Sequence, residues 1–258
     1  MLYYLSNFES AFGPLRIFKY LSVRCGLALA FALLVGAFIA PKIIEELRVL
    51  KFGQSFRTKD EVGKLADLHA GKKGTPTMGG IIIFVAVALS VLLFARPNTL
   101  VIAAMFVYTT LTLLGFADDY LKISKKNSKG VSGKTKLLVQ TATVAGFVAI
   151  LYFSEYKFLL GELFVPFVKE PVFTAIPLAA MFVFLFFVIA GSSNAINLTD
   201  GIDGLAIGCT VTATIAFAVF AYVAGDSISA QYLFIKPIVG CGELTVVCCA
   251  LIGASLAF

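Results

Sequence analysis

Residues 172–204 read VFTAIPLAAMFVFLFFVIAGSSNAINLTDGIDG. The first twenty are almost unbroken hydrocarbon, with Pro177 in the opening turns, where a missing amide does least harm. About 20 such residues cross a bilayer as a helix. The run then turns within a few residues into Ser, Asn, Thr, Asp and Gly. A soluble core helix would alternate faces, and a barrel strand would alternate every second residue; this stretch does neither. It reads as a membrane span ending in a polar cluster at the water boundary.

Working outward, the same pattern recurs. The apolar runs predict an all-α, polytopic transmembrane helical bundle with seven spans, near 23–41, 79–95, 98–116, 136–153, 172–191, 205–224 and 238–258. The second and fourth runs lie near the lower limit of spanning length, about 17 residues. Composition agrees: 59% of the 258 residues are hydrophobic and 14% are charged, against roughly 25% charged in soluble domains. That excludes a soluble globular domain and a disordered chain. The first run follows Glu9, Arg16 and Lys19, carries Arg24 at its start and precedes no cleavage site, so it is not read as a secretory leader. The chain is treated as one membrane domain, 1–258.

The net charge of +6 does not indicate nucleic acid, because the basic residues are sorted by loop. Eight Lys or Arg lie between 42 and 78 and five between 117 and 135, with Lys136 just beyond; these fourteen are two thirds of the 21. The opposite loops hold only Arg96, Lys157, Lys169 and Lys236. The positive-inside rule therefore places loops 42–78, 117–135 and 192–204 in the cytoplasm and the N-terminus outside. The outer loop 154–171 alternates around Gly161 and is read as a surface loop or a short hairpin. The five cysteines show no CxxC spacing, so neither a zinc site nor a disulfide framework is indicated.

Three polar clusters fall on the cytoplasmic side. Asp118 and Asp119 follow the apolar run LLGFA; adjacent carboxylates beside hydrocarbon call for a cation or a basic partner. Lys122 stands four residues on, on the same helical face if the helix continues. Asn194, Asn197, Asp200 and Asp203, with Gly201 and Gly204, offer hydrogen-bonding and cation-binding groups at a tight turn. Lys72, Lys73 and Thr75 introduce the glycines Gly74, Gly79 and Gly80, suited to phosphate. Each cluster also has a bland explanation: an interfacial acidic end, a helix cap, and a turn among positive-inside lysines. Their shared membrane face favours phosphoryl chemistry between a soluble phosphoester and a lipid. The single histidine, His69, makes no metal site by itself.

Three motifs carry a resemblance. Lys73-Gly-Thr-Pro-Thr-Met-Gly-Gly80, Asp118-Asp-Tyr-Leu-Lys122 and Asn194-Ala-Ile-Asn-Leu-Thr-Asp-Gly-Ile-Asp-Gly204 resemble, in order, signatures of the MraY family. These are phospho-N-acetylmuramoyl-pentapeptide transferases of the polyprenyl-phosphate N-acetylhexosamine-1-phosphate transferase superfamily. Relatives using other hexosamines usually have an acidic residue where this chain has Lys122. Ile202 stands where Leu is commoner.

The resemblance implies about ten spans, an outer N-terminus and often a homodimer, in the bacterial cytoplasmic (inner) membrane with the site facing the cytoplasm. It implies transfer of phospho-MurNAc-pentapeptide from UDP-MurNAc-pentapeptide to undecaprenyl phosphate, with Mg2+, giving lipid I and UMP. By position, Asp118 and Asp119 would orient or deprotonate the lipid phosphate and help hold the metal, and Lys122 would fix them or meet phosphate. Asn194, Asn197, Asp200 and Asp203 would form the uridine and diphosphate side, with Lys72, Lys73 and Thr75 closing from the first loop. The family's later GDxGS stretch and histidine-rich loop are not in these residues, so the chain is expected to be the front part of a longer enzyme. A UDP-GlcNAc-using relative and a membrane transport or ion-binding protein are the competing readings.

Overall fold

The computed structural model describes residues 1–49, 78–124, 130–165, 168, 170–200 and 204–258. Among these, the regular elements are helical: α1 (Leu21–Val49), α2 (Gly80–Phe94), α3 (Thr99–Ser124), α4 (Gly133–Tyr152), α5 (Leu178–Thr199), α6 (Leu205–Gly225), the short α7 (Ser227–Tyr232) and α8 (Gly242–Ala257). All seven predicted spans appear as helices. Five are long and apolar enough to cross a membrane: Leu21–Leu47 of α1, and α3, α4, α5 and α6; α2 and α8, of 15 and 16 residues, are shorter. At 1.5 Å per residue those two reach only about 22–24 Å of a ~30 Å hydrocarbon layer. The expected count of seven is thus met in helices and not in span-length helices.

The helix ends differ from the hydropathy boundaries for local reasons. The third helix runs to Ser124, and the fifth runs to Thr199. Both continue into segments read as cytoplasmic loops, because backbone hydrogen bonding does not stop where the hydrocarbon does. The fourth helix starts at Gly133, where Ser132 caps it by accepting from the Thr135 amide at 3.2 Å. The fifth begins only after Pro177, because Val172 and Phe173 are paired back onto Leu163 in one antiparallel bridge. The hairpin alternative for the outer loop is realised as that single bridge, preceded by a 3-10 turn over Glu155–Leu160. The helix α7 was not foreseen; the Asp226 carboxylate caps it at the Ser229 amide, 2.9 Å away.

The packing relies on small residues. Ala28 and Ala32 of α1, Ala86 of α2, and Ala250 and Ala254 of α8 are all fully buried in one cluster. A side-chain carbon on Gly253 would sit 2.1 Å from the Leu29 carbonyl oxygen, and one on Gly225 would sit 2.3 Å from the Gly242 amide nitrogen. Close backbone approach of this kind is what holds helices together where lipid removes the hydrophobic drive. Ser90 of α2 donates to the Ala28 carbonyl at 2.8 Å, satisfying its buried hydroxyl across the α1–α2 contact. A second cluster joins α3, α4 and α5 around Ala103, Val144, Val148 and Met181. Large apolar side chains instead cover the outside, among them Phe38, Leu138, Phe187 and Phe220. This inside-small, outside-apolar arrangement is that of a membrane-integral bundle.

The helices alternate in direction. At one end, Arg24 of α1 makes a two-pronged pair with Glu243 of α8, at 2.6 and 2.7 Å, and donates to the Phe94 carbonyl at the end of α2. The same end is capped by Tyr156, whose hydroxyl donates to the Val239 carbonyl, and by the Lys236–Glu162 ion pair. At the other end the starts of α2, α4 and α6 meet the ends of α3, α5 and α8 around a cavity.

Candidate active site

The cavity has a volume of about 350 Å³ and is lined from five helices and by Phe258, just past the end of α8, within the size range of small-molecule sites. Its inner wall is apolar, with Ile83, Leu111, Leu114 and Ile207. Its mouth is polar. Asp118 comes from the last turns of α3, Lys136 and Gln140 from the first turns of α4, Ser193, Asn194, Asn197 and Asp200 from the end of α5, and Thr210 from α6. An apolar floor under a polar rim suits a ligand with a hydrocarbon portion and a charged head.

Asp118 is the hub. It is 4% exposed, and isolated burial of a carboxylate near hydrocarbon would be costly. The cost is met by partners on both oxygens. Lys122 Nζ lies 2.6 Å from Oδ2, while Lys136 Nζ lies 2.9 Å from Oδ1. The Val131 amide donates to Oδ1 at 2.8 Å. Lys122 also reaches Asp119 at 3.2 Å. Continuation of α3 beyond its apolar run is what sets Asp118, Asp119 and Lys122 at i, i+1 and i+4 on a helix. Gly130, at φ +56°, lies against the hub; a Cβ there would be 2.4 Å from Asp118 Oδ1. The left-handed conformation and the lack of a side chain together let the chain pass so near the carboxylate.

The second wall is polar but loosely bonded. Gln140 is 1% exposed and lies between helices, donating to Ser193 Oγ and accepting from Asn194 Nδ2, both at 3.4 Å. The Asn194 amide also donates to the Ala190 carbonyl at 2.8 Å. Asn194 and Asn197 therefore sit on the last turns of α5, not in a loop, and Asp200 terminates that helix. Gly204, at φ +78°, turns the chain into α6.

The structure thus brings together two of the three predicted clusters: Asp118, with Lys122 bonded to it, and Asn194, Asn197 and Asp200 border one cavity. Asp119 is on the same helix end, its side chain 38% exposed and outside the cavity lining. Lys72, Lys73, Thr75 and Asp203 lie outside the described residues, although Gly80, which closes the first-loop motif, lines the cavity. Sequence reasoning missed Lys136 as a site residue, together with Gln140, Ser193 and Thr210. The signal for the first two was a lysine and a glutamine four apart at the start of an otherwise apolar helix, a spacing that shares one face.

The donor set suits a divalent metal only with the help of substrate phosphates. Among the described residues no three His, Cys, Asp or Glu gather to hold one. Asp118 has both oxygens engaged by ammonium and amide groups. A magnesium ion bound with phosphates, however, needs only one or two protein carboxylates. Asp119, half-exposed with one ion pair, and the exposed Asp200 fit that smaller demand better than Asp118.

Known proteins resemble the chain along its whole length. The model of glycosyl transferase family 4 matches residues 99–258, and phospho-N-acetylmuramoyl-pentapeptide-transferase signature 1 matches residues 72–84. The phospho-N-acetylmuramoyl-pentapeptide-transferase of Opitutus terrae is 44% identical over 259 residues, covering all of this chain and 70% of that protein. The enzyme of the same name from Methylacidiphilum infernorum is 42% identical over 265 residues, again covering all of this chain and 71% of the relative. With Gly80 and Ile83 of the signature lining the cavity and the family match running through both of its walls, the chain belongs to the phospho-N-acetylmuramoyl-pentapeptide-transferase family.

Proposed function

We propose that this chain transfers phospho-MurNAc-pentapeptide from UDP-MurNAc-pentapeptide to undecaprenyl phosphate, forming lipid I and UMP for peptidoglycan synthesis. The observation that carries the reading is a buried carboxylate, Asp118, fixing two lysines at a cavity whose facing wall is Asn194, Asn197 and Asp200. Placement in the bacterial inner membrane with the cavity toward the cytoplasm is part of the proposal. Its support is the sorting of basic loops to the cavity end. Homodimer formation is carried as part of it on the resemblance alone.

In the reaction, an oxygen of the lipid phosphate attacks the sugar-linked phosphorus. The bond from that phosphorus to the bridging oxygen breaks, and the electron pair leaves on UMP. One phosphoanhydride replaces another, so the main task is to bring two anions together in line. A phosphate monoester has a second pKa of roughly 6 and is already largely dianionic near neutrality, which lessens the need for a strong base. Lys122 and Lys136, held by Asp118, each keep N–H donors for phosphate oxygens. Gln140 positions Asn194, and Asn197 and Asp200 face the nucleotide side, with Lys72, Lys73, Thr75 and Asp203 assigned there from their motifs. Asp119 and Asp200 would hold magnesium, which supplies charge neutralisation on the diphosphate when bound.

The test presents the intact protein, in detergent with magnesium, with each UDP-sugar and a polyprenyl phosphate. Lipid-linked product and UMP are expected from UDP-MurNAc-pentapeptide. Product from UDP-GlcNAc alone would overturn the substrate assignment.

A further inference from the structure

We propose that residues 1–20 form a lipid-binding segment, seated in the headgroup layer at the end of the bundle remote from the cavity, with Arg16 and Lys19 on anionic phospholipid. The segment folds as two 3-10 helices, Leu2–Phe8 and Gly13–Lys19, and passes into α1 at Leu21 with no intervening loop. It is therefore continuous with a membrane span and lies at the level where that span leaves the hydrocarbon.

Its surface is too apolar for a tail in water. Tyr4, Leu5, Phe8, Phe12, Ile17 and Tyr20 are exposed, with Phe8 at 61% and Phe12 at 60%. Exposed large apolar side chains gathered in one short segment mark an interaction site. The start of the segment is held to the bundle: the Met1 amine donates to the Leu92 and Leu93 carbonyls at 2.7 Å, Leu2 packs against the small-residue core, and the Tyr3 ring lies against the guanidinium groups of Arg24 and Arg96, at 5.1 and 5.2 Å. Tyr4, Phe8, Phe12 and Tyr20 are left outward. Arg16 and Lys19 are three apart in a 3-10 helix, where residues i and i+3 eclipse, so both charges line one edge. Glu9 is the one acidic residue in the segment. Shallowly inserted aromatic side chains beside a basic edge match a layer of acyl chains topped by phosphates. Tyrosine at this level serves the anchoring role often filled by tryptophan.

Residues 1–258 contain no tryptophan, so Phe8→Trp and Phe12→Trp each give this stretch a single tryptophan, excited beyond the tyrosine band. Each variant is reconstituted into vesicles of phosphatidylcholine, or of phosphatidylcholine with phosphatidylglycerol, with one lipid brominated near the headgroup end of its acyl chains. Bromolipid is expected to dim the emission at least about twofold while aqueous acrylamide leaves it nearly unchanged, as for an interfacial side chain. Brominated phosphatidylglycerol should quench more than brominated phosphatidylcholine at equal mole fraction, and Arg16→Gln with Lys19→Gln should erase that difference. Quenching by acrylamide and not by bromolipid at both positions would overturn the proposal. Shielding from both quenchers would also overturn it, in favour of a protein partner or a second copy. Equal quenching by the two bromolipids would overturn the anionic assignment.

Discussion

Lys136, one turn into α4, and Asp118, near the end of α3, form an ion pair of 2.9 Å that ties the two helices together at the mouth of the cavity. The pair is not local in sequence, and its carboxylate is shared with Lys122 at 2.6 Å. Removing either lysine leaves a buried carboxylate with one cation instead of two. Lys136→Met is expected to lower kcat for lipid I formation by at least about a hundredfold, the scale of losing one preorganised charge. Lys136→Arg, which keeps the charge, should retain more activity than Lys136→Met. Steady-state assays of the two variants side by side check this.

Gly130 offers a steric test of the same hub. Gly130→Ala would bring a methyl within 2.4 Å of Asp118 Oδ1 at a backbone φ of +56°. The left-handed conformation alone costs an L-residue about 1–2 kcal/mol. The variant should melt at a lower temperature in detergent and lose activity, whereas Gly133→Ala, where a Cβ meets nothing within 4 Å, should do neither.

Gln140 joins α4 to α5 through Ser193 and Asn194. Gln140→Leu keeps the side chain's size and removes those bonds. It should raise KM for the UDP-sugar about tenfold, the worth of roughly one hydrogen bond to a buried group, with a smaller change in kcat. An unchanged KM would remove Gln140 from the nucleotide side.

At the far end, Arg24 and Glu243 test stability without touching the cavity. Their side chains are 3% and 12% exposed and paired at 2.6 Å. Glu243→Gln leaves the Arg24 charge buried and unpaired, which typically costs about 3–5 kcal/mol. The melting temperature should fall clearly while KM for both substrates stays as in the parent protein.

Much of this was legible in the sequence, because apolar runs of near-spanning length leave the backbone only the helix as a solution. All seven runs became helices. Their ends were less legible: hydropathy marks where hydrocarbon stops, and α3 and α5 continue past it, carrying Asp118, Asp119, Lys122, Asn194 and Asn197 on helical turns. The lysines led to the expectation that the three clusters share one end of the bundle, and two of the three do border one cavity, the first-loop lysines lying outside the described residues. The Lys136–Asp118 pair could not be read, since it depends on how α4 packs against α3. The interhelical contacts of Gly253 and Gly225 were equally hidden, because a glycine's neighbour across a helix interface leaves no trace in local sequence.

Asp118 is proposed to govern the transfer between nucleotide sugar and lipid phosphate. The most direct measurement is lipid I and UMP release by the intact protein and by its Asp118→Asn variant, with folding of both verified by thermal melting. Lipid I and UMP are expected in equal amounts from the parent protein, with both lost in a variant that still folds. Near-parental turnover by folded Asp118→Asn, or UMP released without a lipid acceptor, would contradict it.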